Sequence, residues 1–308
     1  MARLTNGGII GKPVTSPTVA SAIGKWNLSD QHIYRNQALW APGPPESVEY
    51  LVIAGGGSGG GHLGGGGGAG GYLTGSLSVA GNTSYTLTVG AGGAGRSGEV
   101  RGNNGSNSVF SSVTSIGGGA GGARDDPGSQ GNANSGGSGG GGGGNESSRN
   151  AGAGTAGQGN SGGGGASLAQ GITGGGGGGA GAVGQSGTSS GSPRASGGNG
   201  LTSSITGTSV TRAGGGAGQG NNPGTGGTGG GGNVNTAGTP NTGSGGGGST
   251  SPTLSGAGGS GIVVIAYLSG FSNLLNIGAG LTYTLDTDSR PGYKIYIFTA
   301  GTGTVSWA

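Results

Sequence analysis

Glycine decides what this chain can become. Of its 93 glycines, five precede Gly55 and six follow Gly261, so 82 fall in a single segment. A segment with so few side chains cannot build an ordinary apolar core. Each glycine in a helix interior would also cost about 1 kcal/mol relative to alanine. These two facts exclude a conventional α/β enzyme. A collagen triple helix needs glycine at every third position and many prolines. Here glycine comes in blocks such as 174–179, and there are only 11 prolines among 308 residues. Disorder through low hydropathy usually accompanies high net charge, yet the formal net charge is +3. That charge is also too small to be a footprint for nucleic acid.

The glycine block divides the chain into three expected regions. Residues 1–47 form an N-terminal module of ordinary composition. Ser29 is placed to cap a short helix ending near Trp40, with Asp30 in its first turn, and Pro42, Pro44 and Pro45 stop it. Residues 48–268 form the glycine-rich body. It opens with the apolar run Val48–Ala54 and closes with Gly261–Leu268, two strands expected to be covered on both faces and to pair with each other. A hairpin-like segment is expected between Tyr72 and Val89, and weaker strands at Val109–Ile116, Leu201–Ile205 and Thr208–Arg212. Residues 269–308 form a C-terminal module, expected to be a small antiparallel sheet that includes Lys294–Thr299 and Thr304–Trp307.

The glycine runs are either flexible linkers or ordered elements. Ordering one residue costs about 1–2 kcal/mol, whereas a net backbone hydrogen bond returns about 1 kcal/mol. A lone run therefore stays disordered. Many runs bracketed by strands can instead order together, because glycine lets backbones approach closely enough to satisfy one another. The expected fold class is mainly β and irregular: strands framing a layered sandwich of polyglycine-II helices, with the short N-terminal helix and the small C-terminal sheet. Polar loops between runs carry most of the body's charges, namely Arg124, Asp125, Asp126, Glu146, Arg149 and Arg194. They are candidate binding residues, since loops on a rigid scaffold often carry recognition, or they serve only to keep the surface soluble.

Catalytic motifs carry little information in such a sequence. G-x-G-x-x-G recurs by composition alone, and Gly8-Ile-Ile-Gly-Lys12 runs into Pro13, so it is no P-loop. His32 and His62 lack partners at ligand or triad spacing. Asp286-Thr-Asp288 reads as turn chemistry rather than a calcium loop. Cysteine is absent, which removes disulfides and thiolate metal sites. No catalytic residue, metal or cofactor is expected. The N-terminal residues show no signal peptide, and the aliphatic run 262–268 is far short of the ~18 residues needed to span a bilayer. No aromatic residue occurs from Ser111 to Ala266, which removes base-stacking platforms from most of the body.

Five segments resemble the glycine-rich domain of tailed-phage virion proteins, including tail fibres and fibre-tip adhesins. They are Val48-Glu-Tyr-Leu-Val-Ile-Ala-Gly-Gly-Gly57, Gly70-Gly-Tyr-Leu73, Tyr85-Thr-Leu-Thr-Val-Gly-Ala-Gly-Gly93, Gly105-Ser-Asn-Ser-Val-Phe110 and Gly259-Ser-Gly-Ile-Val-Val-Ile-Ala-Tyr267. Gly24-Lys-Trp-Asn-Leu28 and the C-terminal Pro291–Trp307 are similar to segments of phage structural proteins. The resemblance implies a virion component made in the host cytoplasm. Its N-terminal module would anchor to other tail or fibre proteins through Trp26, Tyr34 and Trp40. Its loops would face a bacterial surface receptor, without membrane insertion or nucleic acid, and a homo-oligomer is open. Receptor-binding loops of such adhesins are aromatic-rich and these are not, so a structural or decoration fibre is the alternative. A rival of another class is an ice-binding polyglycine bundle, against which the irregular glycine blocks count.

Overall fold

The computed structural model describes residues 42–308 apart from 125–129, 145–148, 167–172, 189–194, 221–222 and 251–253. The described residues are all β or irregular, with no helix among them. The helix expected to end near Trp40 lies outside the described residues. Twelve strands are present among the described residues: β1 (Ser47–Ile53), β2 (Tyr72–Ser78), β3 (Tyr85–Thr88), β4 (Ser108–Phe110), β5 (Val113–Ser115), β6 (Leu201–Ser203), β7 (Val210–Arg212), β8 (Ile262–Leu268), β9 (Leu274–Ile277), β10 (Thr282–Asp286), β11 (Tyr293–Ala300) and β12 (Thr302–Trp307).

The strands form a five-stranded sheet β10-β11-β8-β1-β2, a second five-stranded sheet β5-β4-β3-β12-β9, and the hairpin β6-β7. Their pairings are antiparallel. As the apolar runs predict, β1 and β8 pair, with Ile53 opposite Ile262 and Leu51 opposite Val264. Both are covered on two faces, which explains their unbroken apolar sequences. Val48, Val52, Val263, Ile265 and Phe298 face the second sheet, where Leu87, Phe110, Val305 and Trp307 complete one core. Leu51, Ile53, Ile262, Val264 and Ile295 face the opposite way, toward Ala180, Ile205 and Ala213.

Two expectations are corrected. The segment from Tyr72 to Val89 is no hairpin: β2 joins the first sheet beside β1, and β3 joins the second beside β12. Their apolar side chains are divided between the two layers of the sandwich. Nor do the C-terminal strands form a sheet of their own. β11 pairs with β8, while β12 pairs with β3 and β9. This arrangement buries Phe298 and Trp307 completely, and a two- or three-stranded ribbon alone could not do so.

Beyond Ile53 the side chains stop and the pairing changes its period. Antiparallel contact between β1 and β2 continues through Ala54 N–H to Gly71 O, Gly57 N–H to Gly68 O and Gly60 N–H to Gly65 O. Contact between β1 and β8 continues through Gly56 N–H to Gly259 O and Gly59 N–H to Gly256 O. The third set of donors, Gly55, Ser58 and Gly61, goes to Ser106, Asn103 and Val100. Successive N–H groups thus point to three different neighbours in rotation. Residues 64–71 repeat the pattern. Gly64, Gly67 and Gly70 donate to 249, 246 and 243; Gly65, Gly68 and Gly71 to 122, 119 and 116; Gly66 and Ala69 to 175 and 178. Their carbonyls accept from three further directions, including Gly141 N–H, Gly216 N–H and Gly57 N–H.

A strand offers partners on two sides only. These runs offer them all round, because nothing projects from the chain. A Cβ built on Gly65, Gly66 or Gly67 would fall within 3.0 Å of the backbone carbonyls of Gly141, Gly216 and Gly57 respectively. The Cα hydrogens therefore point at neighbouring carbonyls, adding weak C–H···O contacts of about 0.5–1 kcal/mol each. Small side chains enter where there is room: Ser58, Ala69, Ala120, Ser138 and Ala217 are buried.

Candidate recognition face

The direction of the runs sorts the molecule into two ends. Residues 71, 116, 213 and 261 adjoin strands in sequence, and Ala180 and Gly243 pack against the strand core at the same end. The opposite ends of the same runs converge on a turn at His62 and Leu63. Both residues adopt positive φ, at 36° and 49°, a region that non-glycine residues enter rarely. Their carbonyls explain the conformation. His62 O accepts from Arg124 N–H at 2.9 Å and Leu63 O accepts from Gly144 N–H at 2.9 Å, so the turn ties three chain segments together.

Residues flanking the undescribed internal segments gather around this turn. Arg124 reaches His62, and Ala166 N–H donates to Thr173 O at 2.8 Å. Thr173 bridges to Gly220, and Gly218 N–H donates to Ala195 O. Ser249 N–H donates to Gly60 O. One end of the bundle is thus sheet and the other is turns and loops.

Arginines dominate the charges described at the loop end. Arg101 donates from Nε to Asn132 O at 2.6 Å and from Nη1 to Asn134 Oδ1 at 2.9 Å. Arg149 is tied through its backbone to Gly165. Arg124 and Arg149 are both half-buried. His62 Nδ1 lies 2.6 Å from Glu99 Oε1, and Glu99 is exposed. The carboxylate fixes the ring's orientation, but an exposed pair of this kind contributes little to stability. Among the described residues no group of three or more His, Cys, Asp or Glu stands together to hold a metal. Nor is any helix there long and apolar enough to cross a membrane. The arrangement can present hydrogen-bond donors and positive charge on a rigid frame.

The structure brings two of the six expected loop residues, Arg124 and Arg149, to this end. Asp125, Asp126, Glu146 and Arg194 lie outside the described residues, as do Trp26, Tyr34 and Trp40. Sequence reasoning gave His62 no partner. Glu99 is 37 residues away, and it is brought close by the antiparallel return of the chain at residue 100 alongside residue 61. Gln219 was also missed. Its side chain is buried at this end, with Oε1 unpartnered among the described residues, while its backbone joins Gly174 and Gly64.

No curated protein and no solved structure matches this chain. A model of the glycine-rich domain matches residues 35–268, about three quarters of the sequence and the whole of the hydrogen-bonded bundle. The chain therefore belongs to the glycine-rich domain family.

Proposed function

We propose that the runs are helices of the polyglycine-II type and that the chain is a structural protein of a tailed-phage virion. In this reading it serves as a tail fibre or fibre-associated adhesin that contributes to host-cell attachment. The observation that carries the helical reading is the three-way rotation of N–H donors along residues 55–61 and 64–71. A helix with three residues per turn and no internal hydrogen bonds directs its amides outward in this way. At about 3.1 Å per residue the eight-residue run 64–71 would span about 25 Å, enough to hold a loop face well away from the strands. The sheet end would be the structural platform, and the loop end, with Arg124 and Arg149, the face turned toward a bacterial surface receptor. Residues 1–47 would attach the chain to its tail or fibre partners.

A second reading, a structural or decoration fibre without receptor contact, is favoured by the aromatic-free stretch from Ser111 to Ala266. Large rigid rings are the usual anchors of tight protein interfaces. Two measurements separate these readings. Mass spectrometry of purified virions should find the chain; its absence would refute both. Antibody fragments against the loop end should then slow adsorption to host cells by tenfold or more. Unchanged adsorption, with the fragments seen bound on the virion, would leave the structural reading.

A further inference from the structure

The sheet end carries a site of different character. Arg212, on the short hairpin β6-β7, is 8% exposed, and its guanidinium makes no hydrogen bond or ion pair among the described residues. Beside it the Tyr72 phenol, in a residue 7% exposed, makes no well-formed hydrogen bond among the described residues, although the Ser203 side chain lies close enough to interact with it. Burial pulls the Arg212 pKa down, which Tyr72 partly offsets; burial pushes that of Tyr72 up, which the Ser203 side chain and then Arg212 partly offset. An uncompensated buried cation is costly, and proteins rarely keep one without a use.

A cleft of about 600 Å³ opens next to this pair, between the β1-β2 side of the first sheet and the hairpin. Tyr50, Tyr72, Thr74, Thr202 and Ser203 line it, so most of its chemistry is hydroxyl and aromatic ring. Two charged residues, Glu49 and Arg290, also line it. They neutralise each other: Arg290 Nη1 and Nη2 donate to the two Glu49 oxygens at 2.7 and 3.0 Å. The Arg290 guanidinium also stacks 3.5 Å from the centre of the Tyr293 ring. Arg212 is therefore the unbalanced charge of this corner.

We infer that this cleft binds an acidic saccharide, with Tyr72 at the cleft wall and the Arg212 charge behind it taking its carboxylate and the hydroxyl-lined wall taking its ring hydroxyls. The arginine fork matches a carboxylate in shape and charge. The volume falls in the range of small-ligand sites. Tyr50, partly exposed at the cleft, supplies a ring for a sugar to stack against, and it lies outside the aromatic-free stretch of the body. Arg212 is not itself a lining residue: it lies behind Tyr72, on a hairpin anchored in the core through Ile205 and Ala213, so the cleft meets Tyr72 first and the guanidinium's charge behind it. None of this depends on the chain being a virion component.

The test is calorimetric titration of the full chain with glucuronate, glucose, acetate and inorganic phosphate. Glucuronate should bind saturably, about tenfold or more tighter than glucose or acetate, and tighter than phosphate. Arg212→Met should weaken glucuronate binding about tenfold or more while keeping or raising the melting temperature, because it removes a buried unpaired charge. Tyr72→Phe, which keeps the ring's packing, should weaken it several-fold. The inference is overturned if glucuronate binds no better than glucose or acetate, or if phosphate binds better. It is equally overturned if Arg212→Met unfolds the protein, or leaves affinity unchanged, while Tyr72→Phe binds normally.

Discussion

A single glycine in this bundle does work that elsewhere falls to a large apolar side chain: it fills its site with its own backbone. Gly66 donates to Gly175 O at 2.9 Å and accepts from Gly141 N–H at 2.8 Å, while Gly216 O occupies the place of its absent Cβ. Gly66→Ala should therefore act as overpacking and cost about 3 kcal/mol, the upper end of the usual range, read as a lower midpoint of chemical denaturation. Gly270, which meets nothing within 4 Å, is the control; alanine there should be neutral or stabilise by about 0.4–1 kcal/mol through the unfolded chain. A residue-level pH effect belongs to Asp286. Its Oδ1 accepts from Asp288 N–H and Ser289 N–H, both at 2.9 Å, and these bonds, with the Ser289 hydroxyl foremost, hold its pKa below the ordinary value of 3.8. The folded state thus binds this proton less readily than the unfolded state. The turn's contribution is present above the unfolded pKa and is lost as pH falls through the folded one. Asp286→Asn should be less stable than the parent at pH 6, and denaturation midpoints should converge as pH falls through the lowered folded-state pKa of Asp286.

At the scale of elements, the apolar runs made β1 and β8 legible, because strands covered on both faces leave an unbroken hydrophobic record. The partition of β2 and β3 between sheets was not legible: both segments alternate, and alternation names a face without naming the layer it faces. The expected strand Val109–Ile116 is two strands, β4 and β5, turned back at Ser111 and Ser112 with Phe110 opposite Val113. Glycine usually marks such a turn, and in a chain full of glycine this one has none. Ser111 takes φ 55° instead, held by its N–H bond to Thr86 O at 2.8 Å. Ser111→Gly should relieve about 1 kcal/mol of left-handed strain, seen as a raised denaturation midpoint; a lowered one would mean the hydroxyl matters more than the backbone. The His62–Glu99 pair and the Tyr72–Arg212 pair escaped the sequence for a related reason. Each joins residues far apart in the chain through the packing of runs or of strand and hairpin, and a lone arginine on a short polar strand looks like surface.

For the molecule as a whole, the decisive property is that no run owns its hydrogen bonds. Residues 64–71 donate to runs around 246, 119 and 175 and accept from those around 57, 141 and 216, so freeing one run leaves unpaired amides and carbonyls on six others. A buried backbone group without a partner costs about 1–3 kcal/mol. Opening one run alone is therefore dearer than the ordering entropy it would release, and the bundle should open as one unit. The bundle is also continuous with the sheets, since β1 pairing passes into the runs at Ala54 and Gly71 without a break. Hydrogen exchange followed by mass spectrometry in rising denaturant should then show peptides from 64–71, 174–180 and β8 converging on one opening free energy and one denaturant slope. Gly66→Ala should lower protection in all three together, although only the first contains the substitution. Runs exchanging at lower free energy than β8, with a smaller slope, would instead make the bundle a separate unit resting on the strands. A loop face built on it would then be a less rigid platform for recognition than the continuous pairing implies.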